Sequence, residues 1–123
     1  MWVPLVENQE SDQPGADYFV QKYINALLAQ CADIDTVILG CTHYPLLMDK
    51  ILHFMPPHVT VMAQGGIVAA SLADYLRRHP EMEAHCSRGG SCRYLTTEDA
   101  HKFDSLAHIF VNEPVRSQKI TLS

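Results

Sequence analysis

Ile34-Asp35-Thr36-Val37-Ile38-Leu39-Gly40-Cys41-Thr42-His43-Tyr44-Pro45-Leu46-Leu47 is the stretch on which the reading of this chain turns. Its first half is a short apolar run rich in β-branched residues, the pattern of a buried strand in a parallel sheet. Gly40 breaks the run. Pro45 follows five residues later and suits the first turn of a helix, where a missing N–H costs nothing. Cys41, Thr42 and His43 are thereby placed on the loop between the carboxyl end of a strand and the amino end of a helix. In open α/β sheets that edge is where ligands bind.

The residue types on that loop carry chemistry. A thiolate, not a thiol, is the working base or nucleophile, and a helix amino terminus favours negative charge. An imidazole two positions on can hold or relay a proton near neutral pH. Thr42 offers a hydroxyl and a backbone N–H to an anionic ligand. The plainer alternative stands beside this, because free cysteine is among the most buried residue types and a buried cysteine is inert.

Outward from this stretch the chain alternates strand-like and helix-like segments. Trp2 to Glu7 reads as a short strand that carries Glu7 to its carboxyl end. Residues 8–15 are polar and contain Pro14-Gly15, which reads as a loop. Phe19, Val20, Tyr23, Ile24, Leu27 and Leu28 lie at helical spacing, predicting a helix from Ala16 to about Ala32 and then a strand over Asp35 to Leu39. These three segments make an expected β-α-β unit. Leu46, Leu47, Ile51, Leu52 and Phe54 mark the helix opened by Pro45, which Pro56-Pro57 ends. A strand is expected over Val59 to Met62, a turn at Gly65-Gly66, and a helix from Ile67 to His79 with Val68, Leu72, Tyr75 and Leu76 on one face. Residues 81–92 read as a loop. A strand over Arg93 to Thr97, a helix from Glu98 to about Val111 capped by Thr97, and an edge strand over Lys119 to Leu122 complete the chain. The fold class is α/β, a mostly parallel sheet flanked by helices.

The composition is that of one globular domain: 123 residues, 47% apolar, with a formal net charge of −5 and scattered basic residues. A nucleic-acid surface does not fit that charge. No apolar run reaches transmembrane length, and Met1-Trp2-Val3-Pro4 lacks the basic head and apolar core of a signal peptide. Four cysteines, one placed for chemistry, suit a reducing cytoplasm better than a disulfide scaffold. Met1 leads at once into strand-like sequence, an abrupt start that suggests a segment of a longer protein.

The residues also carry a resemblance. Gly-Cys-Thr-His-Tyr-Pro-Leu-Leu (40–47), behind Asp-Thr-Val-Ile-Leu (35–39), is similar to the second cysteine motif of the glutamate racemase family, over thirteen consecutive positions. Val3-Pro4-Leu5-Val6-Glu7 resembles the same family at a fitting distance upstream. Tyr94-Leu95-Thr96-Thr97 and the closing strand resemble its carboxyl end. The likeness runs over essentially the whole chain but covers only about the second half of a family member. The family's first cysteine motif is not in this sequence.

The resemblance implies two α/β lobes facing each other with the substrate between them. Residues 1–63 would be the second part of one lobe, carrying the cysteine motif. The chain would cross near Ala63 to Gly66, and residues 64–123 would return to the other lobe. The implied activity is interconversion of L- and D-glutamate for peptidoglycan, with two cysteine bases and no cofactor. Carried over, Cys41 is the base that meets the L-enantiomer's proton, His43 is its acid/base support, Glu7 steadies His43, and Thr42 helps bind the substrate carboxylate. A Glu7 that is merely a solvated strand-end carboxylate remains the alternative. Ala63-Gln64-Gly65-Gly66 departs from the family, which commonly has an acidic or amide residue, a serine and a glycine there. An aspartate or hydantoin racemase on the same fold is the near rival. The more distant one is a non-catalytic α/β module, since the opposing cysteine is missing. The expected partners are glutamate and the missing amino-terminal half, with self-association left open and no membrane.

Other clusters carry less. His79, His85, Cys86, Cys92 and His101 invite a zinc reading, but the six-residue step from Cys86 to Cys92 is not the usual tight pair, and no metal is expected. A Cys86–Cys92 bridge is conceivable in geometry and disfavoured by a reducing compartment. Cys31, near a helix end, reads as packing.

Overall fold

A computed structural model describes residues 1–122; Ser123, the last residue of the carboxyl-terminal segment, lies outside them. The chain divides into two compact units, one spanning Met1–His79 and one beginning at Pro80.

The first unit opens with helix α1 (Trp2–Glu7), where the sequence predicts a strand. Pro4 sits in its first turn, where its missing N–H is tolerated. The end is a Schellman-type cap. Gln9 takes a left-handed φ of 57°, its N–H donates to the Val6 carbonyl, and the Glu10 N–H donates to the Leu5 carbonyl. Trp2 and Val6, one helical turn apart, turn to the same side, and Val6 is fully buried. Burial of that pair outweighs the β preference of Val3 and Val6. Glu7 therefore stands at the carboxyl end of a helix, not of a strand.

Helix α2 (Pro14–Leu28) starts two residues before the expected Ala16, because Pro14 is its first residue and not part of a loop, and it stops four residues short of Ala32. Strand β1 (Thr36–Leu39) follows. A 3-10 turn (Tyr44–Leu47) containing Pro45 leads into α3 (Met48–Phe54), which ends before Pro56-Pro57 as expected. Strand β2 (Thr60–Ala63) lies parallel to β1, with Val37 opposite Val61 and Leu39 opposite Ala63. The parallel β-α-β unit therefore runs from β1 to β2, one element later than the sequence reading puts it. Val6, Val20, Ile24, Leu39, Leu47, Ile51, Met55 and Val59 form one core between the sheet and helices α1 to α3. Lys50 Nζ, 2.5 Å from Asp17 Oδ1, ties α3 to α2 at the rim.

β1 is buried on one face only. Leu39 is 5% exposed while Ile38, on the opposite face, is 60% exposed. A two-stranded sheet with helices on one side cannot bury both. Helix α4 (Gln64–Arg78) leaves β2 directly, so Gly65-Gly66 lie in its first turn and not in a loop. No residue of α4 is buried. Its apolar stripe, Ile67, Val68, Leu72 and Tyr75, is 39–60% exposed.

The second unit has a short helix α5 (Pro80–Ala84) at the start of the expected 81–92 loop, then strand β3 (Tyr94–Thr96), helix α6 (Ala100–Val111) and strand β4 (Ser117–Lys119). β3 and β4 pair in parallel. α6 is capped by Asp99, whose carboxylate accepts from the Lys102 N–H at 3.0 Å. Thr97, the expected cap, yields to it, because an aspartate at that position answers the helix dipole with full charge. β4 lies two residues upstream of the expected edge strand, where the Ser117 N–H donates to Asp104 Oδ1 and anchors it to α6. No helix among the described residues is long and apolar enough to cross a membrane.

Candidate active site

The loop after β1 and the carboxyl end of α1 bring three side chains into line. His43 Nδ1 lies 3.7 Å from Cys41 Sγ, and His43 Nε2 lies 3.2 Å from Glu7 Oε1. Thr42 Oγ1 is 3.4 Å from the same Nδ1. All four residues singled out in the sequence, Glu7, Cys41, Thr42 and His43, are therefore neighbours. The loop holds its shape through backbone bonds: the Tyr44 N–H donates to the Cys41 carbonyl and the Leu46 N–H to the His43 carbonyl.

The direction of the proton follows from the partners. An ionised carboxylate can only accept, so the bond to Glu7 puts the ring hydrogen on Nε2. In the neutral ring Nδ1 is then an acceptor, and it is the atom turned to the sulfur. The geometry lets the imidazole draw the thiol proton, leaving a thiolate beside an imidazolium whose other side rests on a carboxylate. The His43 and Glu7 side chains are 20% and 48% exposed, so a pair in this setting contributes only about 0–1 kcal/mol to stability. Its consequence is orientation.

Cys41 is half-buried and lines a cleft of about 240 Å³ with Leu39, Gly40, Thr42, Pro45, Gln64 and Gly65. The carboxyl ends of β1 and β2 thus open on one cleft, whose far wall is the first turn of α4. The unpaired N–H groups of that turn favour an anion. Gln64 and Gly65 line the cleft, whereas the sequence reading takes them only as a turn and as a departure from the family pattern. Their signal is a glycine pair set immediately after a strand parallel to the one that carries the cysteine.

The remaining candidates scatter. Cys31, assigned to packing, is exposed, and so are Cys86 and Cys92, all with free thiols. Among the described residues no three His, Cys, Asp or Glu side chains gather to hold a metal ion. A larger cavity of about 600 Å³ lies along α6, lined by His101, Asp104, Ser105, His108 and Glu113 among others. Asp104 there is bound to the Ser117 N–H, and Glu113 accepts from the Tyr94 hydroxyl.

Two parallel β-α-β units, the first with a thiol, a hydroxyl and an imidazole at its strand ends, define an α/β protein whose first unit carries a thiol–imidazole cleft. No protein-family model matches the chain. Curated relatives do. The chain is 40% identical over 105 residues to a glutamate racemase of Paracoccus denitrificans, a match covering 85% of this chain and 38% of that protein. It is 39% identical over 121 residues to one of Desulforudis audaxviator, covering 92% of this chain and 44% of that protein. Among solved structures, glutamate racemase of Thermus thermophilus in complex with beta-chloro-D-alanine superposes with a TM-score of 0.78 at 30% identity, over 98% of this chain and 45% of that one. A glutamate racemase isoform of Bacillus anthracis gives a TM-score of 0.78 at 25% identity, over 98% and 44%. Sequence and fold together put the chain in the glutamate racemase family. It spans less than half the length of the relatives it matches.

Proposed function

We propose that this chain supplies one half of a glutamate racemase, with Cys41 as one of two bases. The observation that carries the proposal is the bridging imidazole: His43 touches the Cys41 sulfur with one nitrogen and the Glu7 carboxylate with the other, at the edge of a cleft. The Cys41 thiolate removes the α-proton of L-glutamate and becomes a thiol. A thiol on the opposite face returns a proton to the carbanion, and the net change is inversion with no redox step and no cofactor. His43 takes the thiol proton before the reaction, and Glu7 steadies the charged ring. Thr42 and the first turn of α4 offer hydrogen-bond donors to the substrate carboxylate.

The opposing thiol comes from the part of the racemase that this chain does not span. On this reading residues 1–63 belong to one lobe and residues 64–123 return to the other. A complementary polypeptide then covers the exposed stripe of α4. The product, D-glutamate, serves peptidoglycan synthesis in the cytoplasm. The ligand seen in the Thermus thermophilus relative is an amino-acid analogue, which supports an amino acid in the cleft. An aspartate or hydantoin racemase would use the same thiol chemistry, but the relatives above and the Thr42-His43-Tyr44-Pro45 run favour glutamate.

Two measurements test this. The first follows the circular dichroism of L-glutamate with the chain alone and with the missing half supplied. Inversion is expected only with both, and none in either case refutes the split racemase. The second follows loss of the α-proton of L-glutamate in heavy water in the same complemented protein. Cys41→Ala is expected to abolish exchange from the L-enantiomer, and equal exchange in both proteins rules Cys41 out as the base.

A further inference from the structure

We infer that Trp2 is a positioning residue for the proton pair, the wedge that sets Glu7 against His43; the inference rests on the Cys41–His43–Glu7 reading above. Glu7 is the last residue of a six-residue helix, too short to hold its own place, and no side chain caps its amino end. Two residues fix it. Val6 is sunk in the core and sets its depth. Trp2, one turn earlier, sets its rotation about its own axis, and therefore where Glu7 points.

Trp2 is held from three directions. Its indole N–H donates to the Phe19 carbonyl on α2 at 3.2 Å. Its ring meets Tyr23 of α2 edge-on, with centroids 6.3 Å apart, and Tyr44 edge-on at 4.9 Å. Tyr44 is the residue after His43 and opens the 3-10 turn. One indole thus braces both arms of the pair: Glu7 through the helix it shares, and His43 through the neighbouring ring. Edge-to-face packing of this kind depends on ring geometry and not on bulk alone. A side chain of similar hydrophobicity without a ring fills the space but does not fix the angle.

The test reads Cys41 directly in the chain as it stands. Alkylation by iodoacetamide is followed at each cysteine by peptide mass mapping, across a range of pH. The exposed Cys31, Cys86 and Cys92 serve as internal references. Near neutral pH, Trp2→Leu is expected to slow Cys41 by about threefold or more, towards the rate of Glu7→Gln, and to leave the reference cysteines unchanged. The loss disappears at alkaline pH, where a thiol ionises without help; simple loosening of the structure would instead speed Cys41 at every pH. Trp2→Phe, which keeps an aromatic edge on Tyr44, restores the wild-type profile. The inference is overturned if Glu7→Gln slows Cys41 while folded Trp2→Leu does not, or if Trp2→Phe behaves as Trp2→Leu. If Trp2→Leu fails to fold by circular dichroism, Tyr44→Leu, which removes the other half of the edge contact, is judged by the same two outcomes. Wild-type rates in both Glu7→Gln and His43→Gln refute the Cys41–His43–Glu7 reading itself, which separates its failure from that of the Trp2 role.

Discussion

His43 decides what the loop after β1 can do, because its two nitrogens face partners of different kinds. One faces an acceptor that cannot donate, and the other faces a thiol. Replacing it should therefore harm chemistry more than binding. In the complemented racemase, His43→Gln is expected to lower kcat for L-glutamate by about 10²-fold, the scale of a lost acid/base group, with a much smaller change in KM. Thr42→Val should do the reverse. On the proposed reading it removes a hydroxyl offered to the substrate carboxylate, and it should raise KM several-fold while sparing kcat. Steady-state kinetics in both directions check the two variants. At this scale the sequence is highly legible. Cys41, Thr42 and His43 are contiguous, so their proximity needs only a loop. Glu7 is 36 positions from His43, and its place beside the ring comes from family likeness, not from pattern. Trp2 carries no pattern that marks it, and Gln64 and Gly65 carry only a glycine pair after a strand, since their roles arise from tertiary neighbours.

Elements follow their own logic, and α1 shows where local signals mislead. Val3 and Val6 favour a strand, and the left-handed cap that ends the helix falls on Gln9, not on the glycine that would announce it. Gln9→Gly is expected to relieve that backbone and stabilise the first unit by about 0.5 kcal/mol, the difference between the cost of a left-handed non-glycine and the entropy glycine gives back. The 3-10 turn, α3 and the end of α4 are legible because their punctuation is covalent: Pro45, Pro56-Pro57 and Pro80 start or stop helices whatever surrounds them. α6 tests capping in the second unit. Asp99→Ala removes the acceptor for the Lys102 N–H and should cost about 1 kcal/mol. Ile51→Ala hollows the core at a residue with no exposed surface and should cost about 2–5 kcal/mol. Urea unfolding followed by far-ultraviolet circular dichroism measures all three.

At the scale of the whole chain, the first unit has a closed core on one face and bare apolar surface on another. The core under β1 and β2 is closed, whereas Ile38 on the opposite face of the sheet and the stripe Ile67, Val68, Leu72 and Tyr75 on α4 stand in water. An amphipathic helix with no buried residue gains nothing from its own apolar face. The matched racemases are more than twice as long as the part this chain covers. If the remaining part of such a racemase is the occupant of that stripe, three quantities should move together when it is added. Fluorescence of a hydrophobic dye, strong with the chain alone, should fall. A one-to-one complex should appear by light scattering. Racemisation of L-glutamate should begin at the same stoichiometry. Leu72→Asp puts a charge in the middle of the stripe: it removes a leucine whose full burial is worth about 1.5–3 kcal/mol and buries an unpaired carboxylate that costs several kcal/mol more. It should leave the chain's own folding intact, since Leu72 is 56% exposed, and weaken the complex by tenfold or more. Dye release and activity that survive Leu72→Asp unchanged would mean that the other half docks elsewhere and that the stripe on α4 serves no part in bringing the two thiols together.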